Sequence, residues 1–486
     1  MDQHIGEYIG VEESIFGDWT TGREGADAFD VISPHTEHPI ARVTVAQPAD
    51  VDAAVAAARA AVDSGPWPRM APAQRIEAIR RLAELYTDQR DDMAALISAE
   101  IGAPISFAKR AQVGLPTMMM SAFCDVAETY PWQETRKGFY GADVRIRKDP
   151  VGVVAAIVPW NMPQFLIVAK LIPALLAGCA VVLKPAPESS LDALVLADLI
   201  KHAGLPDGVV TVLPGDATTG AYLVGHPDID KVSFTGSTAA GRAVAAAAAT
   251  NLTRVSLELG GKSAGIVLDD ADPEKVATGI RFASLANSGQ ICNALTRILV
   301  PAHRQQDYVD ALAARMAALV VGDPADPATE LGPLVSRRQQ QRVRDYIALG
   351  EQEGAQRVLG GTEMPDGIDT GWYVRPTLFT GADNAMRIAR EEIFGPVLTV
   401  IAYRDEEEAI AIANDSDYGL AGSVFTGDTE RGIRIAERVQ TGTFGVNQGY
   451  TMDPFAPFGG VKDSGYGREL GREGFDGYLE TKSIAV

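Results

Sequence analysis

The sequence predicts an α/β protein with two doubly wound cores and a small attached β element, and three observations carry that prediction. The chain has 486 residues, about three times a typical domain of ~150, so a single compact core is not expected. From residue 151, apolar runs of four to eight residues alternate with helical stretches, as strands buried on both faces and joined by crossover helices require. A second series of the same kind starts near Arg297.

The first 130 residues read as largely helical. Asp50 is placed to cap an Ala/Val-rich helix that Gly65-Pro66 ends, and a longer helical pattern covers about 73–99. Between 138 and 147, Phe139, Tyr140, Val144 and Ile146 alternate weakly with polar neighbours, which suits a hairpin. Residues 150–169 carry no charge until Lys170, but Gly152, Pro159, Asn161, Pro163 and Gln164 interrupt them, so they read as a strand, a loop and a helix start rather than a membrane span. Strand candidates of the first core are 153–158, 180–183, 209–213, 231–234 and 255–259, with Ser189 or Ser190 capping a helix that Gly204 and Pro206 close. The alanine run 243–249 is expected to be a helix packed closely on the sheet. The second core has strand candidates at 297–300, 397–402, 422–426 and 443–446, and helices near 307–319, 337–349 and 406–413.

Charge and cysteine usage narrow the function. Against 43 Lys and Arg stand 64 Asp and Glu, a net charge of −21, so nucleic acid and anionic membranes are poor partners. Residues 1–10 lack the basic flank and apolar core of a signal peptide. Three widely spaced cysteines, Cys124, Cys179 and Cys292, suggest neither a disulfide framework nor a zinc site, which fits a reducing cytoplasm. The six histidines, His4 among them, show no metal spacing beyond His35 and His38 in a loop, and no metal is expected.

Neither a Gly-x-Gly-x-x-Gly turn nor a Walker A loop occurs in the α/β region. Phe234-Thr235-Gly236-Ser237-Thr238 does lie where a strand passes into a helix, and free amides with a helix dipole there suit an anion, although such a turn is often only a turn. Cys292, in Ser288-Gly289-Gln290-Ile291-Cys292, has the intrinsic nucleophilicity of a thiol, but an isolated cysteine is by itself more often an inert buried residue than a nucleophile. Glu258 interrupts an apolar strand: it either points to water at the sheet end or is a buried carboxylate in general-base range. Lys184 ends a strand at the sheet edge where ligands bind, as Asn161 does on the neighbouring one.

Jointly these segments resemble the NAD(P)-dependent aldehyde dehydrogenases. The resemblance rests on Val158-Pro159-Trp160-Asn161, Val182-Leu183-Lys184-Pro185, the 234–238 turn, Leu257-Glu258-Leu259-Gly260-Gly261-Lys262-Ser263, Gly289-Gln290-Ile291-Cys292, Glu391-Glu392-Ile393-Phe394-Gly395-Pro396, and the Pro-Phe-Gly-Gly-Val-Lys-Asp-Ser-Gly of 457–465. It implies an aldehyde dehydrogenase-like fold: a dinucleotide-binding domain over 1–130 and 150–260, a catalytic domain over 261–456, and an oligomerisation element over 131–149 and 457–486. A homodimer or a tetramer of dimers is the expected assembly.

The resemblance also implies the chemistry. Cys292 attacks the aldehyde, Asn161 and the Cys292 N–H hold the oxyanion, hydride passes to the nicotinamide, and Glu258 activates the water that releases the carboxylic acid. Lys184 would contact the adenosine ribose, Gly236 and Ser237 the pyrophosphate, and Glu392 the nicotinamide ribose beside Phe394. Val158, Pro159, Trp160, Gly215, Phe234 and Leu259 would line the same cleft. One departure concerns the cofactor: the glutamate that many NAD-preferring members carry three residues after the lysine is Pro187 here, with Glu188 one step later. NAD is expected if Glu188 reaches the ribose, and NADP stays open if it does not.

Two rivals are an acyl transfer to coenzyme A, in a semialdehyde-oxidising branch that typically lacks the glutamate, and a non-catalytic binding protein of the same fold. Glu258 speaks against the first, and Cys292 with Glu258 against the second. The segments that line the substrate tunnel in the family offer Met118, Met119, Met120, Met162, Phe165, Ile291, Tyr450 and Phe455, a set that suits an apolar or aromatic aldehyde.

Overall fold

The structure, a computed structural model, describes residues 27–450 and 452–486. The 1–10 segment, His4 and the start of the 1–130 span therefore lie outside the described residues.

Five parallel strands form the first sheet, in spatial order Arg254–Glu258, Lys231–Thr235, Val153–Ile157, Ala180–Lys184 and Val210–Val212, with the short Gly465–Tyr466 pairing antiparallel to the first of these. Each matches a sequence-predicted run to within one or two residues, because burial on both faces leaves no polar side to blur the pattern. The helix Pro163–Ala177 is buried along its whole length and carries one charge, Lys170.

The second sheet runs Gln356–Leu359, Thr377–Thr380, Val397–Tyr403, Leu295–Pro301, Ser263–Val267, Ala421–Phe425 and Thr443–Val446, parallel except at the first pair. A third sheet joins Gln133–Lys137, Asp143–Pro150 and Leu479–Ala485, all antiparallel. Of the segment 457–486 only Leu479–Ala485 enters that sheet; Val461–Lys462 pairs with Tyr418–Gly419 and Gly465–Tyr466 with the first sheet.

Several local expectations change. Asp50 does not cap its helix: Pro48–Asp63 starts after Gln47, and Asp50 stands at the third helical position, where its Oδ2 accepts from the Gln47 N–H at 2.8 Å. The 73–99 pattern divides into Pro72–Asp88 and Arg90–Ile101, which meet at Gln89. The helical reading of the first 130 residues missed the hairpin Ala28–Ile32 and Pro39–Thr44. The alanine-rich helix Thr238–Ala249 does not pack closely along its run, since only Gly241 and Ala248 are buried. A Cβ at Gly241 would stand 2.5 Å from Leu259 Cδ2, so this glycine sets the approach of the helix to the sheet.

Candidate active site

Strand register brings the thiol and the carboxylate together. Glu258 ends a strand of the first sheet, and after the turn at Gly260 and Gly261 the chain starts the second sheet at Ser263. Ser263 lies opposite Leu295, and Cys292 precedes Leu295 by three residues. The cysteine therefore stands where the carboxyl edge of one sheet faces the amino edge of the other. The approach is close: a Cβ at Gly261 would be 2.4 Å from the Cys292 carbonyl oxygen, which explains why glycine stands there.

Beside Cys292 opens a cavity of about 1390 Å3, larger than a single small-ligand pocket of roughly 300–1,000 Å3 and roomy enough for a dinucleotide and a second molecule. Burial pushes the Cys292 thiol up to about 12, and the carboxylates of Glu392 and Glu258 push the same way, while the backbone N–H groups of Asn293 and Cys292 oppose them. The thiol is thus protonated at neutral pH and needs a base. Alkylation of Cys292 by iodoacetamide in the dinucleotide-free protein is expected to accelerate by about tenfold per pH unit between pH 7 and 9, following the thiolate fraction. A rate that levels off below pH 8, read by mass spectrometry of the Cys292 peptide, would contradict that protonation state.

Glu258 does not point to water. Its residue is 3% exposed and neither carboxylate oxygen has a hydrogen-bond partner among the described residues. Burial raises its pKa well above the usual carboxylate range, and the charge of Glu469 adds to this, whereas Lys170 and Arg468 oppose it. Behind it, Lys170 Nζ pairs with Glu469 and donates to Thr235 Oγ1 at 2.7 Å. An unpartnered buried carboxylate is costly unless it is neutral or working, which favours the general-base alternative. Sequence reasoning missed the Lys170–Glu469 pair, although a lone lysine inside Phe-Leu-Ile-Val-Ala-Lys-Leu-Ile-Pro was a usable signal.

Asn161 is buried, and its Nδ2 donates to the Gln290 carbonyl at 3.0 Å, which leaves its second N–H free to donate. The Asn161 carbonyl in turn accepts from Gln112 Nε2 at 2.9 Å and Asn287 Nδ2 at 2.8 Å, so the cysteine loop and the asparagine are tied to each other. Asn287 and Ser288 hold left-handed φ values of 51° and 57°, turning the loop sharply before Cys292.

The cavity wall carries Pro159, Trp160, Gly236, Ser237, Leu259, Glu392 and Phe394 of the sequence-predicted cofactor set. Ser237 caps the helix Thr238–Ala249, accepting from the Ala240 N–H at 3.3 Å, and Gly236 N–H donates to the Glu258 carbonyl at 3.0 Å. Glu392 Oε1 accepts from Gly261 N–H at 3.0 Å, and burial raises the Glu392 carboxyl to about 7. Phe394 meets the Trp160 ring edge-on at 5.4 Å. Val158, Lys184, Glu188, Gly215 and Phe234 stand off the cavity wall but along the same sheet edge: Val158 N–H donates to the Lys184 carbonyl at 3.1 Å, and Glu188 lies in the turn Pro187–Ser189 just beyond it. The donor set fits a dinucleotide, with neutral amides and a helix start for phosphates, and a carboxylate for a ribose diol.

The substrate set divides. Met162, Phe165 and Ile291 line the cavity near Cys292, joined by Leu166, Met452 and Phe458, which sequence reasoning did not single out. Met119 and Met120 are instead core residues, Met118 is 54% exposed, and Phe455 is 59% exposed. Tyr450 is half-buried against Phe458, with the rings 6.2 Å apart. The opposite wall is one face of Arg337–Gln352, including Arg338, Gln339 and Arg342, which nothing in the sequence marked as ligand-facing. Among the described residues no group of three or more His, Cys, Asp or Glu could hold a metal ion, and no helix is long and apolar enough to cross a membrane.

Comparison with known proteins agrees with this geometry. The chain is 44% identical to geranial dehydrogenase of Castellaniella defragrans and 43% identical to 3-succinoylsemialdehyde-pyridine dehydrogenase of a Pseudomonas species, in each case over 97% of both chains. Among solved structures, an aldehyde dehydrogenase of Mycobacterium tuberculosis complexed with NAD+ superposes with a TM-score of 0.95 at 46% identity, covering 98% of each chain. An aldehyde dehydrogenase of Pseudomonas syringae complexed with NAD+ and octanal, a cysteine-to-alanine variant, gives 0.93 at 43% identity, covering 98% of this chain and 96% of its own. The model of the aldehyde dehydrogenase family matches residues 19–484, and this chain belongs to that family.

Proposed function

We propose that the protein oxidises an apolar aldehyde to its carboxylic acid with NAD, through a thioester on Cys292. The observation that carries the reading is that Cys292 and Asn161, the latter with a spare N–H, line one cavity while Glu258, buried and unpartnered among the described residues, ends the strand just behind its wall, near enough for its charge to act on the thiol. Glu258, whose charge acts on the thiol, takes the Cys292 proton as the sulfur attacks the carbonyl carbon. Asn161 Nδ2–H and the Cys292 N–H donate to the resulting oxyanion, each worth about 10² to 10³ in rate. A nicotinamide dinucleotide, held by Ser237, Gly236, Lys184 and Glu392, supplies the hydride acceptor. Having released the thiol's proton to solvent, Glu258 then takes a proton from the water that attacks the thioester and gives it to the departing sulfur, which frees the acid and restores the thiol.

The substrate class follows from Met162, Phe165, Leu166, Ile291, Met452 and Phe458, a wall of thioether, aromatic and aliphatic groups. The relatives named for geranial and crystallised with octanal act on or bind apolar aldehydes, which supports the same class. Across a panel of aldehydes, with reduced dinucleotide followed by absorbance, medium-chain and aromatic substrates are expected to exceed betaine aldehyde and carboxylate-bearing semialdehydes by roughly 10²-fold in kcat/KM, because a charge desolvated without a partner costs several kcal/mol. Charged aldehydes winning that comparison would overturn the substrate assignment.

A homodimer or tetramer also belongs to this reading. The strand Gln133–Lys137 is exposed along its length, and Phe139 and Tyr140 at the hairpin tip are 97% and 95% exposed, an apolar tip that suits burial against another copy. A solution mass of one chain, 51.5 kDa, would remove it. Three unpaired cysteines fit a reducing cytoplasm.

A further inference from the structure

Residues 105–128 run as one continuous helix with a defect inside it. Ile105–Phe107 and Leu115–Glu128 are α-helical, but the 7 residues between them, Ala108–Gly114, form a π-helical stretch in which the Leu115 N–H reaches back to the Arg110 carbonyl. The sequence contains the cause. Pro116 has no N–H to donate, and its ring would collide with the carbonyl of the residue four before it, which is Gln112. Widening the turn relieves that collision, and the extra residue shifts the side chains on either side of it by about 100° relative to each other. Such defects give up helix geometry and occur mostly at functional sites.

Gln112 is the polar side chain that this stretch buries. It is 0% exposed, its Nε2 donates to the Asn161 carbonyl at 2.9 Å, and its Oε1 has no partner among the described residues. A buried acceptor without a donor destabilises the fold, and a methionine of similar size would avoid that loss. The Asn161 carbonyl does not need the amide to be satisfied, because Asn287 Nδ2 donates to the same oxygen at 2.8 Å. Stability therefore does not account for a glutamine here.

The two amides come from different elements. Asn287 belongs to the cysteine loop, which also holds the Asn161 side chain through the bond from its Nδ2 to the Gln290 carbonyl at 3.0 Å, and Gln290 Nε2 closes the ring on the Asn287 carbonyl at 3.2 Å. That ring ties Asn161 to the loop but would move with it. Gln112 adds an anchor from a separate helix, so the Asn161 peptide is fixed from two sides in a segment that lies between the strand Val153–Ile157 and the helix Pro163–Ala177 and has no ladder of its own. Fixing that peptide fixes where the side chain starts, and a reacting-site donor misplaced by about 1 Å costs up to about 10² in rate.

We propose that Gln112 is a positioning residue for the oxyanion site: through the Asn161 carbonyl it holds the Asn161 side chain so that its free N–H meets the aldehyde oxygen as charge develops there. Gln112 itself stands off the cavity wall. The inference rests on the reading of Asn161 as an oxyanion donor.

A double-mutant cycle in the full chain tests it, with single-turnover hydride transfer followed by absorbance at saturating dinucleotide and the aldehyde that the wild type turns over fastest. Gln112→Met is expected to slow hydride transfer about tenfold, while the dinucleotide Kd stays within about twofold and the melting temperature falls by no more than about 3 °C. Asn161→Ala should cost about 10² to 10³, and adding Gln112→Met to it less than about twofold more, because the anchor then has no side chain to aim. Tenfold slowing in both backgrounds would make Gln112 a structural residue and overturn the proposal. So would a wild-type rate in Gln112→Met, or a variant that fails to fold or melts lower by more than about 3 °C. An Asn161→Ala rate equal to that of the wild type overturns the oxyanion reading and the inference with it, whereas the other outcomes leave that reading in place.

Discussion

Cys292→Ala is expected to abolish the first turnover, with no burst of reduced dinucleotide and a steady-state rate lower by at least about 10⁴-fold. No other thiol can stand in. Cys124 and Cys179 are buried in the core away from the cavity, and desolvation raises them to about 12 and about 11. Alanine removes only a sulfur from a half-buried loop position, so stability should change by less than about 1 kcal/mol, and the variant should still bind dinucleotide. Stopped-flow absorbance decides the matter. A burst of undiminished amplitude would remove Cys292 from its role.

Glu258→Gln is expected to separate the two halves of the reaction. Up to one reduced dinucleotide per chain should form, after which the acyl group stays on Cys292 and steady turnover falls by about 10² to 10⁴. Because Glu258 also acts on the thiol, the burst itself should be slow at neutral pH and quicken as pH rises toward the thiol range near 12. Intact mass after quenching should show the chain carrying the acyl group. Steady turnover at the wild-type rate would mean that another group activates the water.

The strands of the first sheet were legible because both faces are buried, and Glu258 was noticeable because it broke such a run. Ser263–Val267 and Thr377–Thr380 were missed, being short and holding a glycine or flanking threonines that weaken the apolar signal. The methionine run misled for a geometric reason. On the helix Leu115–Glu128 successive residues turn by about 100°, so Met119 and Met120 enter the core while Met118 meets solvent. Of the twelve residues the resemblance implies for the cofactor, five stand off the cavity wall, because strand order spreads Val158, Lys184, Glu188, Gly215 and Phe234 along the sheet edge rather than into the cleft.

The amino-acid sequence alone determined the motifs, their order and the strands of a parallel sheet, since each depends on local composition or on burial written into every residue of a run. The tertiary structure decided the surroundings of Glu258. Its burial, its lack of a partner and the Lys170–Glu469 pair behind it are sums over neighbours from distant segments, with Glu469 lying 299 residues from Lys170. The same holds for the cavity wall formed by Arg337–Gln352. Desolvation and electrostatics depend on distance in space, which the sheet order sets and spacing along the chain does not.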